Sequence, residues 1–287
     1  MVTTYTAADD SRLQQLQRFA EFYRAFNPHG VIKLIPFSEN IKAVRKECEK
    51  WGIDVVNPSP IIDECGQTIF KDKEYRPGVM AWRYMRKLNC FIDSTTNFVF
   101  TDINNVPLCN LDIFSKIITR SGRDILFSGM SAPKRTIRAK NRHIYDLLSK
   151  NIRSGYNCSL IASKPNIIVE RDFEFLSNPK LIKLFAKAPE QGYLALMMTL
   201  SSISHDILRS YVKKMNLVVG RSTTLKPQQL RMKSNTIYNT KGGILVSYKT
   251  TGEQLSDLPS EITEAVQEEA KRWLRRKAGL ESSAEHI

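Results

Sequence analysis

An aspartate that leaves an apolar run is the first feature of this chain with a chemical reading. Asn97-Phe98-Val99-Phe100-Thr101 is β-prone, and Asp102-Ile103-Asn104-Asn105 follows it directly. Oxygen-bearing side chains this close together can hold a hard divalent cation along with the phosphates of a substrate. The alternative is an Asx-type turn, in which Asp102 and Asn104 only bond backbone amides. Other chemistries find less support. The histidines (His29, His143, His205, His286) are scattered, with neither HExxH nor paired spacing. Neither GxGxxG nor GxxxxGK(S/T) occurs, which removes the usual dinucleotide and P-loop readings. Ser128-Gly129 and Ser154-Gly155 lack the GxSxG context of a nucleophile elbow. Cys158 falls in an expected strand and reads as a small core residue before it reads as a nucleophile.

These residues need a scaffold, and the hydrophobic pattern supplies one. Val2 to Tyr5 is a short β-prone run, and Asp9, Asp10 and Ser11 are good helix N-caps. Leu13, Leu16, Phe19, Ala20 and Tyr23 then recur at helical spacing through to Phe26, and Asn27-Pro28-His29-Gly30 stops that helix. Val31 to Phe37 reads as a strand, Ser38 to Trp51 as a helix ended by Gly52, and Ile53 to Val56 as a strand. This alternation predicts a parallel α/β sheet. A long connection is expected from Asn57 to Arg76, because of Pro58, Pro60 and Gly66. Pro77 would open a helix carrying Val79, Trp82, Met85, Arg86 and Leu88. Beyond Asp102 come a short helix from Asn110 or Asp112 through Ile118, strands at 124–128 and 158–162, and mostly helix over 179–204, interrupted by Pro189. After Pro259 an amphipathic helix has acids early and bases late, an order that suits the helix dipole. Residues 1–256 are expected to form the main domain and 257–287 a C-terminal helix and tail.

Composition narrows the function classes. The 287 residues are 42% hydrophobic and 25% charged, so disorder is excluded as the main character. The longest apolar stretches, such as Tyr193 to Met198, fall far short of a membrane span. The N-terminal residues do not resemble a signal peptide. Five widely spaced cysteines without a CxxC argue against both a disulfide framework and a zinc cluster, and for a reducing cytoplasm. Lys+Arg 43 against Asp+Glu 29 gives a net charge of +14. Such an excess favours nucleic acid, anionic lipid or phosphorylated substrates, and equally a solvated basic surface. The stretch from Lys134 to Arg153 is the most basic, with a single acid, Asp146.

The opening Val2-Thr3-Thr4-Tyr5-Thr6 and the apolar strand leading into Asp102-Ile103-Asn104-Asn105-Val106-Pro107-Leu108 resemble nucleotide-sugar glycosyltransferases of the GT-A fold. In that family a strand delivers a short acidic DxD-type motif, here degenerate. Ser154 to Ile161 is similar to the family's acceptor-side strand, with its residue order altered, and Pro189-Glu190-Gln191-Gly192 is similar to its "DQ" helix start. The resemblance implies a GT-A-like, mixed but mostly parallel sheet flanked by helices, with a C-terminal helical tail. It implies transfer of a sugar from a nucleotide diphosphate sugar to a glycan or lipid-linked acceptor. Thr4 and Tyr5 would line the base, Arg83 or Arg86 would approach the diphosphate, and Asp102 would contact ribose or metal, as a catalytic residue. Asn104 or Asn105 would take the second metal-side position; Asn157 and Gln191 would face the acceptor, and Glu190 would be the base of an inverting reaction. For each role the alternative is ordinary structure: a packed strand end, a solvated helix face or a turn.

Two departures from the family pattern bear on the cofactor. An amide replaces the second acid, which should lower Mn²⁺ or Mg²⁺ affinity, and the late segment Gly242 to Lys249 has no histidine ligand. Lys249 would then offset diphosphate charge, making metal-independence the alternative to a divalent metal. Three rival functions follow from the same residues: nucleic-acid binding through the basic stretch, peripheral attachment to an anionic membrane, and a transferase-like scaffold without activity.

Overall fold

The computed structural model describes residues 1–70, 74–76, 79–131, 155–176, 189–208, 210–211, 215, 217–221, 230–233, 236–239, 244–249 and 258–280. Its first part alternates β1 (Thr3–Ala8), α1 (Leu13–Phe26), β2 (Val31–Pro36), α2 (Lys42–Trp51) and β3 (Asp54–Val55). Helix α1 buries Leu16, Phe19, Ala20 and Tyr23, a stripe at i, i+3, i+4 and i+7. Asp9 caps the short 3₁₀ turn before α1 by accepting from Ser11 N, whereas Asp10 reaches across to accept from Val44 N in the first turn of α2. Gly52 ends α2 at φ +60°, a conformation that glycine adopts without a β-carbon clash.

The next segment corrects the expected connection and helix. Pro60 takes the first helical position, where its missing N–H costs nothing, and opens α3 (Pro60–Phe70) inside the stretch expected to be a connection. Gly66 lets α3 lie close to its neighbour, since a β-carbon there would sit 3.1 Å from the Trp82 carbonyl oxygen. Strands β4 (Glu74–Arg76) and β5 (Val79–Met80) form a small ribbon. Residues Ala81–Leu88 then form a 3₁₀ helix instead of the expected α-helix, running into α4 (Asn89–Asp93). Its buried Trp82, Met85 and Leu88 are spaced by three, which is the 3₁₀ repeat.

The remaining elements are β6 (Phe98–Thr101), β7 (Asn105–Pro107), α5 (Ile113–Ser121), β8 (Ile125–Ser131), β9 (Gly155–Ser163), α6 (Glu170–Leu176), α7 (Pro189–Leu200), β10 (His205–Ile207), β11 (Leu217–Arg221), β12 (Leu230–Lys233), β13 (Thr236–Asn239), β14 (Ile244–Lys249) and α8 (Ser260–Lys277). Pro189 begins α7 and does not interrupt a helix within the described residues. Seven strands make the main sheet in the order β10-β8-β9-β6-β1-β2-β3. All its pairings are parallel except the two that β9 makes. This is the mixed, mostly parallel sheet flanked by helices that the sequence predicts. A second sheet, β11-β14-β13-β12 with β7 paired to β14, has no counterpart in the sequence reading apart from the late strand.

Period-two alternation divides the core between the two faces of the main sheet. Phe98 and Phe100 pack on one side with Met85, Phe127 and Tyr193, while Val99 packs on the other with Leu16, Leu34 and Phe114. Helix α8 is part of this packing. Ile262 and Val266 join Val106 and Leu230 in a third cluster, and Ala270 joins the second. Trp273 stacks on Trp51 at 5.9 Å and donates to the Pro28 carbonyl, and Lys277 Nζ donates to the carbonyls of Glu49 and Lys50 at the end of α2.

Candidate functional site

The strand order of the main sheet reverses at one point. From β1 the chain crosses through α1 to β2 on one side, while β6 is followed by β8 on the other. In open α/β sheets, ligands bind outside the carboxyl ends of the strands at such a reversal. Here the reversal lies between β1 and β6, and the residue that leaves β6 at that edge is Asp102. Its own amide donates to Ser159 O at 2.9 Å, tying it to β9, and its carbonyl accepts from Asn105 N at 2.8 Å.

Lys87, from the end of the 3₁₀ segment, reaches this edge. Its Nζ lies 2.5 Å from Asp102 Oδ1, with 11% of the lysine side chain and 24% of the aspartate side chain exposed. The ammonium also sits 5.3 Å from the Tyr84 ring centre and 5.5 Å from that of Phe100. Burial alone would make it easier to deprotonate, but the charges of Asp102 and then Glu190 outweigh burial and raise its pKa. Glu190, in the first turn of α7, is 3% exposed, and its Oε2 has no hydrogen-bond partner among the described residues. Burial raises its pKa, opposed by Lys87 and reinforced by Asp102. Cys158 on β9 is buried beside the same charges, and its thiol is pushed well up, first by burial and then by Glu190. That thiol is a core group, as the sequence predicts, and not an activated nucleophile.

The structure gathers most of the sequence-predicted residues here. Asn105 is buried, its Nδ2 donates to the Thr101 hydroxyl at 3.0 Å, and its Oδ1 has no partner among the described residues. Asn104 is half-buried in the same turn. Asn157 Oδ1 accepts from Ser159 N at 2.9 Å, beside the register shift between β8 and β9. Gln191 adjoins Glu190, with Nε2 and Glu190 Oε1 3.5 Å apart. Residue Lys249 stands opposite Asn105 in the β7–β14 ladder, which brings its backbone beside the Asp102 turn. Its side chain lies outside the described residues, as does the basic stretch from Lys134 to Arg153.

The other predicted residues are placed elsewhere. Thr4 and Tyr5 are fully buried, and the Tyr5 hydroxyl donates to Asp93 Oδ2 at 2.6 Å, toward the opposite edge of the sheet. Arg86 is held by Asp63, at 2.6–3.2 Å, and by Glu39 at 2.7 Å, so it clamps the 3₁₀ segment to α3 and to the end of β2. Arg83 lies beside it, 3.4 Å from Glu39. The residue that sequence reasoning missed is Lys87. The available signal was a lysine set within the mostly apolar run from Met85 to Phe91.

A divalent metal needs several oxygen donors, preferably charged. The residues present fit that poorly. The carboxylate of Asp102 is paired with an ammonium, and the oxygens that follow it in the turn, on Asn104 and Asn105, are neutral amides. Among the described residues no cluster of three or more His, Cys, Asp or Glu side chains could hold a metal, and no helix is long and apolar enough to cross a membrane.

No protein-family model matches this chain, and no curated protein does. Several solved structures match it at low sequence identity. Mouse xyloside xylosyltransferase 1 in its apo form matches at 11% identity and a TM-score of 0.45, over 72% of this chain and 84% of that one. Core-mannan synthase A from Aspergillus fumigatus, in a Mn/GDP form, matches at 8% and 0.48, over 72% of each chain. The galactosyltransferase LgtC, in complex with donor and acceptor sugar analogues, matches at 12% and 0.47, over 99% of this chain and 98% of that one.

Proposed function

We propose that this protein is a GT-A-type glycosyltransferase that moves a sugar from a nucleotide diphosphate sugar to a glycan or lipid-linked acceptor. The observation that carries this reading is the position of Asp102. It leaves the central strand β6 at the strand-order reversal of a mostly parallel sheet, the place where such sheets bind nucleotides, and it pairs there with the buried Lys87. Asp102 contacts the ribose of the donor in this reading. Glu190 faces the acceptor as the general base of an inverting reaction. A carboxylate whose proton affinity is raised by burial is better matched to that task near neutral pH than an exposed one. Departure of the diphosphate builds negative charge, and the Lys87 ammonium fixed at the edge would stabilise it without reorganising. A cytoplasmic location is supported by the cysteines, none of which forms a disulfide.

The test is a thermal-shift screen of the purified protein against UDP, GDP, CMP and their common sugar conjugates. A ligand that binds only the folded chain raises its melting temperature by mass action. One nucleotide family is expected to raise it, with the effect reduced in Asp102→Asn. No shift with any of them overturns the reading.

A further inference from the structure

We propose that Lys87 is a resident cation that holds the place a divalent metal would need at the Asp102 carboxylate, so that this site works without a metal ion. Three independent observations converge on it. First, the ammonium is already at ion-pair distance from the one carboxylate the strand end offers, and it is enclosed by Tyr84 and Phe100. A metal binding the same oxygens would have to displace it or sit beside a like charge. Second, Glu190 is buried with Oε2 unpartnered among the described residues, and its charge acts on both Lys87 and Asp102. The Asp102 charge disfavours ionisation of the buried Glu190, and the Lys87 ammonium opposes that effect. Third, the lysine is delivered by a fixed backbone. Arg86 next to it is clamped by Asp63 and Glu39, Asn89 Nδ2 donates to the Arg86 carbonyl at 2.7 Å, and the Cys90 thiol donates to that of Lys87 at 3.0 Å.

An ammonium supplies one positive charge and three N–H donors, whereas a metal supplies two charges and demands a shell of oxygens. Replacing one by the other explains why the turn after Asp102 can carry amides at both positions 104 and 105. It also predicts a gain of function. With the ammonium removed, Asp102 Oδ1 loses the cation beside it, and a metal ion should be drawn in.

That the ligand of this site is a donor diphosphate rests on the glycosyltransferase reading; the exclusion of metal does not. The test therefore begins with Mn²⁺ alone, titrated into the full chain and followed by electron paramagnetic resonance. The wild type is expected to bind no Mn²⁺ below millimolar concentration. Lys87→Met and Lys87→Gln are expected to bind it at least tenfold more tightly than the wild type, and the added Asp102→Asn change to abolish that gain. Submicromolar to micromolar binding by the wild type that Asp102→Asn removes would overturn the proposal, as would folded Lys87 variants that bind no better than the wild type. If neither variant folds, as judged by circular dichroism, the comparison of wild type with Asp102→Asn decides alone. A second arm measures UDP and GDP binding in EDTA and in Mn²⁺. Equal binding in both is expected, and binding that requires Mn²⁺ overturns the proposal while leaving the transferase reading intact. Absence of nucleotide binding in both, with the Mn²⁺ results as expected, removes the transferase reading and leaves Lys87 as the resident cation.

Discussion

Arg24 and Lys87 are both buried cations, 5% and 9% exposed, yet they are kept in opposite ways. The hydrogen bonds of Arg24 go to neutral groups. Its three nitrogens donate to the carbonyls of Trp51, Gly30 and Gly52 at 2.7–3.0 Å, and its guanidinium lies 4.5 Å from the Trp273 ring. Burial lowers its pKa, with no carboxylate close enough to reverse that. Lys87 instead meets charge, and its pKa is raised. The first arrangement is closed: the donors are matched to backbone acceptors, joining the ends of α1, α2 and α8. The second is open, with an unpartnered oxygen on Glu190 and another on Asn105 among the described residues. Buried polar groups left unmatched are costly to folding, and a ligand that reaches them recovers that cost. The comparison separates a joint from a site.

The largest expected effect lies on the closed side. Arg24→Met leaves three backbone carbonyls without their donor, at roughly 1–3 kcal/mol each, for a loss of about 4 kcal/mol in total. Urea denaturation should show the midpoint falling with the slope unchanged. A loss under about 1 kcal/mol would mean that water replaces the arginine and the joint is not closed. On the open side the signature is reversed. Asp102→Asn leaves the buried Lys87 ammonium without its ion-pair partner and should lower the melting temperature, yet its main effect should be on sugar transfer, which falls about 100-fold, equivalent to roughly 2.7 kcal/mol of transition-state stabilisation. Glu190→Gln removes a charge from a buried place, so it should melt at or above the wild type while transfer by an inverting reaction falls. Next comes Trp273→Ala, which loses the stack on Trp51, the cover over Arg24 and the bond to Pro28. It should cost about 2 kcal/mol in the same urea measurement. Failure to destabilise would make α8 a loosely attached tail.

The smallest effect is a control away from both regions. Asp124 accepts from Lys164 at 2.8 Å and from the Ser204 hydroxyl and amide at 2.7 and 2.9 Å. Burial works against its ionised form, but these bonds prevail and lower its pKa to about 2. A depressed carboxylate stabilises the fold above its unfolded value of about 4, and that contribution is lost as the pH falls from about 4 to about 2. Asp124→Asn should therefore be less stable than the wild type at pH 7, and the gap should close by pH 2, as measured by thermal melts across pH.

The sequence was legible where burial and period agree. The stripe of α1, the strand β2 and the glycine stop at the end of α2 follow from residue pattern, because α1 and α2 are amphipathic over a full element and β2 is a short apolar run between turn residues. Asp102 was legible because it follows four buried strand residues. The 3₁₀ segment was not, since Trp82, Met85 and Leu88 satisfy a three-residue repeat that also fits an α-helix approximately. Proline at 60 hid α3, as a residue that breaks a helix inside also begins one. The second sheet was hidden by the shortness and polarity of β12 and β13. Partnership was the least legible property. Arg86 and Lys87 are adjacent in sequence, and only the fold sends one to Asp63 and Glu39 and the other to Asp102.

The central claim is that the edge around Asp102 turns over a nucleotide sugar. Release of nucleoside diphosphate from UDP- and GDP-sugars by the full chain tests it most directly, with Asp102→Asn measured alongside. The account predicts release from one donor family by the wild type and about 100-fold less by the variant. Release that is equal in both proteins, or none from any donor, would contradict it.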